Sequence, residues 1–154
     1  MEQWMKLALE EAQRADQEGE VPVGCVAVLR NELVARDHNR SLQLHDPTAH
    51  AEILVLRQAG QQLSNYRLKD IEIYVTIEPC AMCAGALIWA RVKQLIFGAR
   101  DQKAGAVFSK ASLLSEGRFN HSVQVVEGVL ARPSREILQE FFSRRRSSHP
   151  QKTI

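Results

Sequence analysis

Two short runs, His50-Ala51-Glu52 and Pro79-Cys80-Ala81-Met82-Cys83, constrain this chain more than anything else in it. Each stands where a helix should begin, and together they offer one imidazole and two thiols. Zinc favours those donors in tetrahedral geometry, and a catalytic site leaves the fourth position to water. Cys80 and Cys83 are three positions apart, so on a helix their sulfurs share a face within reach of one ion. The positive end of that helix lowers cysteine pKa values, which suits thiolate ligands. A fold that uses all three donors must bring the two helix starts together.

A structural zinc normally takes four protein ligands, so three favour catalysis. His38, His45, His121 and His149 sit at no local ligand spacing from either run. Glu52 follows His50 by two positions, which on a regular helix turns the two side chains about 200° apart. Both serve one site only if the first turn splays, or if the ion lies off the helix end. A carboxylate beside a zinc-activated water can take its proton and return it to a substrate; Glu52 as a fourth ligand is the competing role.

The three cysteines are an odd number in a chain with no readable export signal, which argues against a disulfide framework. Cys25, inside the run Val23–Val28, reads as a small buried hydrophobe. The segment from Met1 to Glu20 is acidic and lacks a continuous apolar run. No stretch approaches the roughly 20 apolar residues of a membrane span, so a cytoplasmic protein without membrane contact is expected. Net charge is only +2, but it is unevenly spread. Basic residues gather from Arg132 to the end, as a solvated helix face or as a site for a polyanion.

Hydrophobic spacing predicts an opening helix ending near Gly19, then a hairpin from Val21–Leu29 and Leu33–Asp37. Asp46-Pro47-Thr48 reads as the start of a helix running to about Ala59. A strand over Ile71–Ile77, a helix from Cys80 to about Arg91 and a strand over Gln94–Gly98 follow. A loop, a strand near Val123–Val126 and a last helix from about Pro133 close the chain. Leu87, Ile88 and Trp89 read as core, with a subunit contact as the alternative. The alternation of strands and helices predicts an α/β fold, a three-layer α/β/α sandwich on a mixed five-stranded sheet. Residues 1–146 form one domain in this reading, and 147–154 a short polar tail.

The paired runs match the signature of zinc-dependent nucleobase deaminases, which direct a metal-activated water at a base taken out of the stack. The likeness extends through Glu20-Val21-Pro22-Val23-Gly24, His45 to Glu52, Asn65-Tyr66-Arg67-Leu68, Glu78-Pro79-Cys80, Phe97 to Asp101, Asn120-His121 and Phe141-Phe142. In these, the chain resembles the bacterial tRNA-specific adenosine deaminases of the cytidine/deoxycytidylate deaminase superfamily. The resemblance implies a cytidine deaminase-like fold, a homodimer, and conversion of adenosine to inosine at the wobble position of a tRNA anticodon stem-loop. It assigns zinc to His50, Cys80 and Cys83 and the proton shuttle to Glu52. It places Asn39, Val21 and Pro22 around the flipped base, Asp101 and Asn120 beside anticodon nucleotides, and Phe142 and Arg145 against the RNA. Two features depart from the family: His38 where tryptophan is common, and the bulky Val107-Phe108 after Gly105-Ala106. The rival readings are a free guanine- or cytosine-type deaminase with the same zinc centre, and a noncatalytic RNA-binding module with structural zinc.

Overall fold

The fold is described from a computed structural model, over residues 1–148. Helix α1 (Glu2–Gln17) turns a face of Met5, Ala8, Ala12 and Ala15 inward. Those short side chains let it lie directly on strand β1 (Gly24–Leu29). At Gly24 the approach is so close that an added Cβ would stand 1.8 Å from the carbonyl oxygen of Ala8. Only glycine fits there. Strand β2 (Glu32–His38) returns antiparallel to β1, with a bulge between Ala27 and Val28 that leaves Val34 unpaired in the register.

After the short helix α2 (Ser41–Leu44) comes α3 (Ala51–Leu63), then β3 (Ile71–Ile77), α4 (Ala81–Trp89), β4 (Gln94–Ala99), β5 (Gln124–Glu127) and α5 (Ala131–Ser148). The sheet order is β2-β1-β3-β4-β5. β1 is antiparallel to both β2 and β3, while β3, β4 and β5 run parallel. Alternate strand residues face opposite layers. Cys25, Ala27, Ile73, Val75, Leu95 and Phe97 pack with α3 and α4. Val26, Val28, Tyr74 and Ile96 pack with Met5 and Ala8 of α1. The result is the expected three-layer sandwich with a mixed five-stranded sheet, and the expected burial of Cys25.

Several boundaries differ from the expectation, and one difference matters for chemistry. Asp46-Pro47-Thr48 does not start a helix. Asp46 Oδ1 accepts hydrogen bonds from both the amide and the hydroxyl of Thr48, at 2.8 and 2.7 Å, and closes a local turn instead. The helix begins five residues after Asp46, at Ala51, and passes through Gly60 to Leu63. In the polar stretch before it, Ser41–Leu44 forms a helical turn. On α4, Leu87 and Ile88 are core as expected, but Trp89 is 80% exposed. Helix α5 starts at Ala131 and includes Ser147 and Ser148, so the expected tail begins inside a helix; 149–154, with His149, lie outside the described residues.

Candidate metal centre and base pocket

His50 is the N-cap of α3, with extended backbone angles (φ −74°, ψ 152°), and Cys80 is the N-cap of α4 (φ −73°, ψ 176°). Neither residue is inside its helix. The 200° conflict between His50 and Glu52 therefore disappears: His50 stands off the helix end, and Glu52 points from the first turn. His50 Nδ1 lies 3.6 Å from Cys80 Sγ and 3.5 Å from Cys83 Sγ. Bonds of about 2.0 Å to nitrogen and 2.3 Å to sulfur, at a tetrahedral angle, require an N–S separation of about 3.5 Å. The donor set and its spacing fit one zinc ion, and among the described residues no further His, Cys, Asp or Glu joins this group.

The electrostatics suit a cation. Cys80 is lowered to about 4, chiefly because the Cys83 thiol donates a hydrogen bond to it, with His50 adding to the effect. Cys83 is pushed far up by that donation and by burial. His50 is raised, first by its hydrogen bond with Cys80. The Cys83 thiol and the His50 ring are thus biased towards holding protons beside the Cys80 thiolate, protons that a bound metal would displace. Glu52, 3% exposed, faces Cys80, His50 and Cys83, and burial raises its carboxyl above the usual range. A buried carboxyl biased towards holding a proton beside a metal position is suited to proton transfer.

His50, Glu52 and Cys80 line a cavity of about 200 Å³ together with Val21, Val23, Asn39, Ala51, Ile77, Glu78, Asp101 and Ala104. Asn39 leaves the end of β2, and its amide donates to the Val23 carbonyl at 3.1 Å. That bond joins the Asn39 wall to the Val21–Val23 wall. His38, the departure before Asn39, is buried with its ring nitrogens 2.8 Å from Glu11 Oε2 and 2.7 Å from Glu18 Oε2. It ties β2 to α1 immediately before the cavity. Glu20, also buried, accepts the amides of Leu42 and Gln43 and fixes the turn after Asn39.

The remaining expected site residues are dispersed. Pro22 is buried but does not line the cavity. Asn120 is exposed, its carbonyl accepting from Arg91, and is not part of the cavity wall. Phe142, 43% exposed, borders a second hollow of about 190 Å³ with Arg100, Arg135 and Arg146. Ile77 is common to both hollows. Arg145 stacks over Phe141 at 4.9 Å and donates to the Gly19 carbonyl, so its guanidinium is turned towards α1. Ile77 and Ala104 are wall residues that sequence reasoning does not single out. Val23 and Glu78 stand in runs that carry the family resemblance, but neither is assigned a role by it.

The MafB19-like deaminase family model matches residues 1–146. A tRNA-specific adenosine deaminase from Haemophilus influenzae is 45% identical over 94% of this chain and 84% of its own length. A solved structure from work on A-to-I editing by tRNA:A34 deaminases at the wobble position superposes with a TM-score of 0.86 at 45% identity. That match covers 88% of this chain and 99% of the other. A guanine deaminase from Nitrosomonas europaea superposes with a TM-score of 0.80 at 24% identity, over 92% of this chain and 84% of that one. The last likeness is one of fold.

Proposed function

Because this chain belongs to the MafB19-like deaminase family and to the tRNA-specific adenosine deaminases within it, we propose that it converts adenosine to inosine at the wobble position of a tRNA anticodon. The observation that carries the reading is the convergence of His50, Cys80 and Cys83 beside buried Glu52, in a cavity sized for a base. About 200 Å³ is below the range of roughly 300–1,000 Å³ usual for whole-ligand pockets, which suits a single flipped base.

His50, Cys80 and Cys83 would hold zinc. Bound there, zinc supplies Lewis acidity that brings the pKa of a water near neutrality. Glu52 takes a proton from the attacking water and delivers it to ring nitrogen 1 of adenine as the oxygen adds to carbon 6. It then passes the second water proton to the exocyclic nitrogen, which leaves as ammonia, so that adenosine and water become inosine and ammonia. Asn39 hydrogen-bonds the base, and Val21 lines the apolar side of its seat, backed by the buried Pro22. Asp101 and Asn120 meet neighbouring anticodon nucleotides. Phe142 and Arg145 of α5 face the RNA, where aromatic stacking and guanidinium contact grip unpaired nucleotides.

A homodimer belongs to the same proposal. A hollow of about 870 Å³ lies away from the metal position, between α3 and α4. It is bordered by Ile53, Leu56, Tyr66 and Trp89, the last two 77% and 80% exposed. A second copy would cover this apolar surface. Trp89→Glu should leave the monomer folded and halve the mass measured by light scattering; an unchanged mass would remove Trp89 from the contact. A tRNA substrate implies the cytoplasm as the compartment, and no helix among the described residues is long and apolar enough to cross a membrane.

Incubation with an anticodon stem-loop, and separately with free adenine, guanine and cytosine, tests the substrate. The proposal predicts inosine in the RNA and no turnover of free bases. Turnover of a free base without RNA binding would establish the first rival, and zinc-dependent RNA binding without product the second.

A further inference from the structure

The most heavily bonded side chain at the pocket is not one of the metal or proton-transfer groups. Glu78 sits where β3 ends, two residues before Cys80, and is 1% exposed. Its Oε1 accepts the amides of Val107, Phe108 and Ser109 at 3.2, 2.7 and 2.9 Å. Its Oε2 accepts the amide of Asp101 at 2.9 Å and the hydroxyl of Ser109. Both ends of the 101–109 loop are therefore bound to one carboxylate. Two backbone bonds run in parallel: Glu78 donates its amide to the Ala99 carbonyl, and Ala106 donates to the Pro79 carbonyl. The carboxylate is held so close that a Cβ on Gly105 would come within 2.3 Å of it. The same loop supplies Asp101 and Ala104 to the cavity wall.

We propose that Glu78 is a positioning residue for the reaction: it fastens the 101–109 loop to the strand exit that carries Cys80, and so sets the distance between the metal ligands and the wall formed by Asp101 and Ala104. The metal side and the RNA side of the pocket then move as one body. The inference rests on the reading of this cavity as the seat of the flipped base. A carboxylate is needed because both of its oxygens face only donors. In Glu78→Gln one of those positions becomes an NH₂ that opposes the Asp101 or the Phe108 amide, at almost unchanged side-chain volume. Ser109→Ala removes one donor and leaves the rest.

The test uses the full-length, zinc-loaded chain with an anticodon stem-loop. In Glu78→Gln, amide exchange across 101–109 should quicken and KM rise, each by about tenfold, the size expected from losing one bond to a charged acceptor. Zinc content should be unchanged and kcat should fall by less than KM rises. Ser109→Ala should shift exchange and KM in the same direction by less, and it carries the test if the Gln variant fails to fold. Exchange across 101–109 equal to wild type would overturn the proposal. So would a lower Tm accompanied by an unmoved KM, which is the mark of a merely structural role. A wild type that makes no inosine would fault the substrate reading, while the exchange rates and the stem-loop affinity would still decide the clamp.

Discussion

Glu52 and Glu78 line the same pocket, are buried to nearly the same degree, and are built in opposite ways. Glu52 is 3% exposed and Glu78 1%. Burial raises Glu52 and outweighs the lowering by its own backbone amide; the neighbouring Cys80 sulfur raises it further, against weaker lowering by His50 and Cys83. Burial acts on Glu78 too, but the Ser109 hydroxyl and the amides of Phe108, Ser109 and Asp101 outweigh it and hold its carboxyl low. A buried carboxyl aimed at by many donors keeps its charge and serves as a fixed post. One left with few donors, beside sulfur, is free to gain and lose a proton. The surrounding N–H groups, rather than depth of burial, separate the carboxyl suited to moving protons from the carboxylate suited to holding the wall.

Substitutions can break this comparison at either end. Cys83→Ser should have the largest effect, losing zinc, turnover and stability together, because binding and folding free energy are coupled at such a site. Metal analysis and thermal unfolding would read it; retained zinc would remove Cys83 from the ligand set. Glu52→Gln should lower kcat by about 10²–10⁴-fold, the range of general acid–base catalysis, while zinc content stays constant. Its Tm should hold or rise, since a neutral isostere avoids the desolvation that disfavours the Glu52 charge. Gly105→Ala acts on the other carboxylate. The new methyl has no room beside Glu78, and the expected loss is roughly 1–3 kcal/mol of stability with zinc retained. A Tm that falls in Glu52→Gln and holds in Gly105→Ala would reverse the roles assigned to the two glutamates.

Much of this is legible in the residues, for identifiable reasons. Ile71–Ile77 is placed to the residue because its β-branched and aromatic alternation has clear ends. The metal position is legible because all three donors lie in two short runs, each at the mouth of a helix. The start of α3 is not. Asp46-Pro47-Thr48 has the composition of a helix start, and only the competing hydrogen bonds to Thr48 show that the chain turns first. That local difference conceals how His50 and Glu52 reach one site. The Glu78 clamp is out of sight for another reason: its donors lie 23 to 31 positions away, and backbone amides have no residue-type signature. The buried pairing of His38 with Glu11 and Glu18 is equally long-range, spanning 27 and 20 positions. Trp89 reads as core because its neighbours Leu87 and Ile88 are; its 80% exposure follows from its place at the last turn of α4.

The most direct test of the account is to incubate the zinc-loaded chain with an anticodon stem-loop in ¹⁸O-labelled water and analyse the wobble nucleoside by mass spectrometry. Hydrolytic deamination predicts inosine carrying ¹⁸O at carbon 6, and almost none from Glu52→Gln at equal zinc content. Unchanged adenosine, inosine without the label, or near-normal turnover by the Gln variant would contradict it.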